Sequence, residues 1–165
     1  MTDAAIVHAD GRFVFQGRVY RCALGRGGVR TDKEEGDGAT PLATLPLRRV
    51  YFRADRVKIP ACAVPREAMA PEDGWCDDPT HRNYNQLVRL PFSASHEEMW
   101  RRDALYDIVA VLGWNDAPVE RRRGSAIFLH VARPDYGPTE GCVALALPDL
   151  QAVLAAGVRS LRIVA

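Results

Sequence analysis

The chain has 165 residues, a length typical of one domain, and 47% of them are hydrophobic, which is enough to build a core. Its 22 Lys and Arg residues nearly balance its 21 Asp and Glu residues, so the formal net charge is +1. A chain this balanced has no overall field to attract nucleic acid or an anionic membrane surface. We therefore expect one domain over residues 1–165 that does not bind nucleic acid.

The first 20 residues contain no apolar segment of signal-peptide length, because charged residues interrupt them at Asp3, Asp10, Arg12 and Arg18. No later stretch approaches the roughly 20 apolar residues that a transmembrane helix needs. We expect either a cytosolic protein or a chain given in a mature or otherwise exported form.

The four cysteines, at positions 22, 62, 76 and 142, form no CxxC pair. This spacing argues against a structural zinc site and against a thioredoxin-type motif. Cys62 and Cys76 are candidates for a disulfide in an oxidising compartment. Buried free thiols are the alternative.

Short strands dominate the first half of the chain. Residues 4–8 and 12–16 predict a β-hairpin around Asp10-Gly11, and residues 18–24 predict a third strand. Residues 25–41 are polar and rich in glycine but lack the P-loop order, so they predict either an ordered loop beside a cleft or a plain solvated connection. Further strands are expected at residues 47–52 and 57–59, before an irregular, proline-rich stretch.

The second half mixes strands with two short helices. Ser95 followed by Glu98 is a capping-box pattern and predicts a helix over residues 95–102. Pro148-Asp149 predicts the start of a second helix that stops at Gly157. Strands are expected at residues 105–113, 126–129, 143–147 and 160–164. The pattern favours a mainly β fold, either a mostly antiparallel β-sandwich or a closed mixed sheet.

The most informative stretch is residues 124–145. An apolar run leads to His130, a loop with two prolines follows, and Gly141-Cys142 opens the next apolar segment. Strand ends joined by a tight loop can bring an imidazole within reach of a thiol, which is how a cysteine nucleophile is activated. The N–H groups of Gly141 and Cys142 are candidates for an oxyanion hole. The expected chemistry is acyl transfer through a thioester.

Several segments of the chain resemble the YkuD-type L,D-transpeptidases. That family's active-site pattern is His, a loop, then Ser/Thr-His-Gly-Cys, and its counterparts here are His130, Thr139, Gly141 and Cys142. Residues 36–41 (GDGATP), 77–85 and 113–116 also look like family segments. The resemblance implies a β-rich fold in which Cys142 attacks a peptidoglycan stem peptide and His130 is the base.

The sequence departs from the family pattern at three points. Glu140 stands where the family usually has histidine, the loop after His130 is shorter, and Ala144 replaces a common polar residue. A carboxylate pointing at the sulfur would raise its pKa, so we expect Glu140 to point outward or to bind an ammonium group. The TxGCVAL segment looks like the subgroup associated with 1,3 cross-links, with 3,3 cross-linking as the alternative.

The resemblance also implies partners for the site. Stem peptides are expected as donor and acceptor, carbapenem-type β-lactams as inhibitors, the periplasm or cell envelope as location, and no metal or organic cofactor. Arginines hold carboxylates well, so Arg133 is the main candidate, with Arg101 and Arg102 as weaker ones. The other predicted substrate-binding residues are Thr139, Glu140, Tyr84, Asn85 and Asn115.

Two other functions stay open at this stage. The first is a hydrolase on the same scaffold, an L,D-carboxypeptidase or amidase that uses water as acceptor. The second is a peptidoglycan-binding domain without catalysis, which the loss of the usual histidine would permit.

Overall fold

The computed structural model describes residues 2–165, which form fourteen strands and one α-helix. In chain order the elements are β1 (Ala4–His8), β2 (Arg12–Phe15), β3 (Arg18–Ala23), β4 (Val29–Arg30), β5 (Thr40–Pro41), β6 (Thr44–Phe52), β7 (Arg66–Ala68), β8 (Asp73–Cys76), β9 (Leu87–Arg89), β10 (His96–Glu98), β11 (Ile108–Leu112), β12 (Phe128–Val131), β13 (Val143–Leu145), α1 (Leu147–Ala155) and β14 (Ser160–Val164).

Eight strands close into a ring in the order β11-β12-β13-β3-β2-β1-β14-β6, and β6 pairs back to β11. Most neighbours are antiparallel, but β1 pairs with β14 and β12 pairs with β13 in parallel. Strand β7 lies parallel to the far end of β6. The predicted mainly β fold with a closed mixed sheet is therefore confirmed, and the predicted hairpin of β1 and β2 forms as expected.

Alternation along the strands separates two apolar clusters. The larger cluster takes residues from all eight strands of the ring, so it is the interior of the closed sheet, with Leu129 and Leu145 among its fully buried members. The smaller cluster includes Phe128 and Cys142 on the opposite face, and a three-stranded sheet of β8, β9 and β10 covers it with Trp75. Cys142 therefore lies on the outer face of the ring.

Helix α1 confirms the prediction of a helix near Pro148. Its buried residues are Leu150, Val153 and Leu154, which pack into the interior cluster. Gly157 ends it: its φ of +92° favours glycine, and its N–H donates to the Leu154 carbonyl at 3.0 Å.

The predicted helix at residues 95–102 is wrong, so α1 is the only helix among residues 2–165. Residues His96–Glu98 instead form β10, which pairs with β8. The Ser95 hydroxyl donates to Asp77 at 2.6 Å, so it does not cap a helix. A cross-strand partner distant in sequence has overridden a local capping pattern.

The predicted strand at residues 57–59 is also wrong. The N–H of Val57 donates to the Arg53 carbonyl at 3.0 Å, which closes a turn, and Ile59 is 64% exposed. Cys62 and Cys76 are free thiols. No helix within residues 2–165 is long and apolar enough to cross a membrane.

Candidate active site

A cavity of about 300 Å³ contains both Cys142 and His130. It opens on the outer face of the ring, between β12, β13 and the small sheet that covers them. Charged and aromatic side chains share its wall with the two predicted catalytic residues, notably Lys33, Glu35, Glu97, Tyr106, Arg133 and Glu140.

The parallel pairing of β12 and β13 sets the spacing of the candidate pair. His130 lies opposite Ala144, so Cys142 is level with Phe128 and His130 is two residues, about 6.6 Å, further along. No hydrogen bond joins the two side chains in the part of the chain that the structure describes. The two side chains therefore reach the same cavity from positions offset along neighbouring strands.

His130 lies within β12 and is 5% exposed. Its Nδ1 is 2.8 Å from the Val131 carbonyl oxygen, and a carbonyl only accepts, so Nδ1 carries the hydrogen. The lone pair is therefore on Nε2. Burial lowers the pKa of His130 to about 4, so the ring is a neutral base near pH 7.

Cys142 is equally buried and is held by the neighbouring segment. Its Sγ donates to the Ala126 carbonyl at 3.2 Å and accepts from the Phe128 N–H at 3.4 Å. Burial, helped by the negative charge of Glu97, raises the pKa of Cys142 to about 12. The resting group is a thiol, so nucleophilic attack needs a base during the step.

The turn before Cys142 is shaped by Thr139 and Gly141. The Thr139 hydroxyl donates to the Cys142 carbonyl at 2.7 Å and accepts from the Gly141 N–H at 3.1 Å. Gly141 has a φ of +134°, and a Cβ there would lie 2.7 Å from the Ala39 carbonyl oxygen. Of the two predicted oxyanion donors, only the Cys142 N–H has no side-chain acceptor among residues 2–165.

The glycine-rich loop, residues 25–41, borders the cavity through Lys33, Glu35 and Gly36, which confirms the cleft-side interpretation. It also supports the turn: the Arg26 N–H donates to the Thr139 carbonyl at 2.8 Å.

Glu140 points outward, as the sequence led us to expect. Its carboxylate pairs with Arg26 at 2.9 Å, and its side chain is 78% exposed. Arg133 is an exposed residue at the cavity wall, and no carboxylate of residues 2–165 lies within 4.0 Å of it. Arg133 is thus available for an anion.

The structure does not bring Tyr84, Asn85 or Asn115 to this cavity. Asn85 is buried, accepts from Trp75 Nε1 at 3.0 Å and donates to two carbonyls, and Tyr84 donates to Glu35 at 2.7 Å. Asn115 holds the turn that follows it through the backbone of Glu120. All three polar groups are used within the fold.

The two weaker arginine candidates differ in their position relative to the cavity. Arg101 lines the cavity but pairs with Asp103 at 2.7 Å, which reduces its availability for a substrate carboxylate. Arg102 does not line the cavity.

The cavity also contains two residues that the sequence pattern does not single out, Tyr106 and Glu97. Tyr106 precedes β11 and packs edge-on against His130, with ring centroids 5.2 Å apart. Glu97 lies in β10, which the capping pattern had assigned to a helix. Its strand has only three residues, too few for alternation to reveal which side chain faces the site.

The match to a family model agrees with the resemblance in the sequence. The family model of the YkuD L,D-transpeptidase catalytic domain matches residues 5–156. The crystal structure of Mycobacterium tuberculosis L,D-transpeptidase 1 is similar over 98% of this chain and 61% of that chain, with 11% identity and a TM-score of 0.44. No curated protein matches the sequence. Because the family model covers most of the chain, this protein belongs to the YkuD family of L,D-transpeptidase catalytic domains.

Proposed function

We propose that residues 1–165 form one catalytic domain that acts in the cell envelope as a cysteine L,D-transpeptidase on peptidoglycan stem peptides. One observation carries the proposal: Cys142 and His130 share one cavity, and the lone pair of His130 is on Nε2, which has no hydrogen-bond partner among residues 2–165. Attack by a protonated thiol needs a base in the same cavity, and this arrangement provides one.

In the acylation step, His130 Nε2 takes the thiol proton as Cys142 Sγ bonds to the donor carbonyl. The carbonyl oxygen becomes an oxyanion, which the Cys142 N–H stabilises. The C–N bond then breaks, and imidazolium returns the proton to the departing nitrogen. The products are a thioester and an amine, and the imidazole is neutral again.

Thr139 and Arg133 support this step in different ways. The Thr139 hydroxyl fixes the Cys142 carbonyl, and the Cys142 N–H belongs to the same turn, so this contact helps to set the direction of the oxyanion donor. Arg133, with no carboxylate partner of its own, suits a stem-peptide carboxylate.

An amine of a second stem peptide then attacks the thioester and releases the thiol. We assign the donor cut to the bond after L-Ala and the acceptor to meso-diaminopimelate, which gives a 1,3 cross-link; 3,3 cross-linking is the alternative. The TxGCVAL segment supports this assignment. A carbapenem should acylate Cys142 by the same attack.

Purified stem peptides test the proposal. We expect wild-type protein to form cross-linked dimers, detected by mass spectrometry, and Cys142→Ala to form none while keeping its circular dichroism spectrum. Cys62→Ala is the matched control, because this thiol lies outside the cavity, and it should retain activity. Carbapenem should add its mass to wild type and to Cys62→Ala, but not to Cys142→Ala.

The products formed from stem peptides also distinguish transpeptidation from hydrolysis and from binding without catalysis. Shortened monomers without dimers would establish a carboxypeptidase or amidase instead. No product and no carbapenem adduct would leave only a binding role.

A further inference from the structure

The transfer step leaves one proton unassigned. An amine acceptor of the lysine type has a pKa of about 10.4, so it arrives at neutral pH as ammonium. Ammonium plus thioester gives amide plus thiol plus one proton. His130 takes the proton that the nitrogen loses during attack and passes it to the departing sulfur, so a second base is needed for the proton that leaves before attack. This reasoning rests on the proposed function.

Glu97 in β10 offers that base at the same cavity. Glu97 pairs with Trp75 of β8 across the small sheet, and it lines the same cavity as Cys142 and His130. One oxygen, Oε1, accepts from the Tyr106 hydroxyl at 3.0 Å. Within residues 2–165, Oε2 receives no hydrogen bond, and no Lys, Arg or His nitrogen lies within 4.0 Å of the carboxylate.

Tyr106 ties the Glu97 carboxylate to the catalytic base. The tyrosine is 6% exposed, and its ring meets the His130 ring at 68° with centroids 5.2 Å apart. Burial raises the pKa of Tyr106 well above its usual value, so its hydroxyl stays a donor. One buried side chain therefore positions both Glu97 and His130.

The charges that face Glu97 come from several elements. Burial raises the pKa of Glu97, the Tyr106 hydrogen bond lowers it, and Asp77 and Glu35 raise it while Arg101 lowers it. The net result is a raised pKa for Glu97. A pKa nearer to pH 7 makes this carboxylate a better general base at neutral pH.

We propose that Glu97 is the second base of the transfer step: its free oxygen binds the acceptor ammonium and takes the proton that this group loses before attack. The N–H bond breaks, its electron pair stays on nitrogen, and Glu97 becomes a carboxylic acid. The amine then attacks the thioester, His130 takes the second proton and returns it to sulfur, and Glu97 releases its proton to water.

The test separates the two half-reactions with Glu97→Gln, which keeps an oxygen for the Tyr106 hydroxyl. Carbapenem acylation of Cys142 needs no ammonium, so its rate should not fall below that of wild type. Dimer formation at neutral pH should fall by about 100-fold, the range of a lost general base. The pH profile of dimer formation should also move toward higher pH, because solvent must then deprotonate the acceptor.

A neutral nucleophile gives the decisive comparison. Methoxyamine is uncharged at neutral pH, so it should resolve the acyl-enzyme of Glu97→Gln as fast as that of wild type. Glu98→Gln is the matched control: this residue is the exposed neighbour on the same strand, and its variant should behave as wild type throughout.

Two outcomes would overturn the inference. The first is dimer formation by Glu97→Gln with the rate and pH profile of Glu98→Gln. The second is a loss of carbapenem acylation in Glu97→Gln, which would place the residue in the first half-reaction. Failure of the proposed function looks different, because wild type itself would then form neither adduct nor dimer.

Discussion

Burial and hydrogen bonding set the protonation of the candidate pair, Cys142 and His130, before a substrate arrives. The Val131 carbonyl fixes the tautomer of His130, and burial keeps that ring neutral and the Cys142 thiol protonated. The resting site therefore holds a neutral pair, and charge develops only as the sulfur attacks. A substrate carbonyl between the two side chains would receive that charge beside the Cys142 N–H.

The neutral, buried state of His130 predicts a dependence of stability on pH. Its pKa falls from 6.5 in the unfolded chain to about 4 in the folded protein, so between these values the unfolded state binds more protons. Stabilisation from this residue is complete above pH 6.5 and is lost as the pH falls to 4, a change of about 3 kcal/mol in the free energy of unfolding.

Urea unfolding of wild type and of His130→Asn from pH 4 to pH 7 measures this effect. The difference in unfolding free energy between the two proteins should shrink by about 3 kcal/mol as the pH falls. A difference that stays constant over this range would contradict the assignment of a neutral, buried ring.

Residue types and spacing predicted some of the site but not all of it. Cys142 and His130 stand out because their chemistry and local order are distinctive, and the structure places both in one cavity. Glu97 and Tyr106 were missed because only the pairing of β10 with β8 brings them to the cavity. Asn85 was assigned to substrate, whereas the structure satisfies its amide with buried backbone and Trp75.

Among the elements, the glycine-rich loop does more than border the cavity. Lys33 Nζ lies 2.6 Å from Asp37, and these two side chains are 3% and 14% exposed. Asp37 also accepts from the Glu34 and Ala39 N–H groups, so the ion pair fixes the bend of the loop. The Ala39 carbonyl in turn lies against Gly141, which links the loop to the turn before Cys142.

Removing Lys33 should therefore weaken the fold more than removing an exposed partner in the same loop. Lys33→Met leaves Asp37 without its cation, and breaking such a buried pair costs about 3–5 kcal/mol of unfolding free energy. Arg30→Met is the matched control, because its pair with Asp32 is exposed to solvent and should contribute little to stability.

Chemical unfolding followed by circular dichroism provides the comparison. The measurement should be made at neutral pH and moderate salt, where the exposed pair is screened further. Equal losses in the two variants would show that the buried pair does not hold the loop.

Elements were predictable where local pattern and tertiary pairing agree. The strands β1, β2 and β14, predicted from alternation, and the helix α1, predicted from its proline, all form in the structure. The capping box at Ser95 failed because a serine hydroxyl has several possible acceptors, and Asp77 is the one it uses. The order of strands in the ring could not be predicted from the sequence. Strand β14, at the end of the chain, pairs with β1 and β6, which come much earlier in the sequence.

In the molecule as a whole, the main hydrophobic core and the candidate active site lie on opposite faces of the closed sheet. Side chains from every strand of the ring fill the interior, whereas Cys142 and His130 occupy the outer face of two neighbouring strands. We therefore expect stability and the proposed catalysis to depend on opposite faces of the same sheet. A change inside the ring, far from the cavity, should alter one without the other.

Leu161 in β14 is the position at which to test this separation. It is fully buried in the interior cluster and lies opposite Ala5 in β1 and Leu45 in β6, the strands that β14 joins. Leu161→Ala should lower the free energy of unfolding by about 2–5 kcal/mol, because it removes buried methyl groups and leaves a cavity. The rate of carbapenem acylation at low temperature, where the variant is still folded, should equal that of wild type.

Arg162→Ala is the control, since Arg162 is the exposed neighbour on the same strand and should leave both stability and acylation nearly unchanged. Unfolding by urea and intact-mass detection of the acyl-enzyme supply the two readouts. Slower acylation in folded Leu161→Ala would mean that packing inside the ring positions Cys142 through the sheet. The interior and the outer face would then be one coupled unit rather than two independent ones.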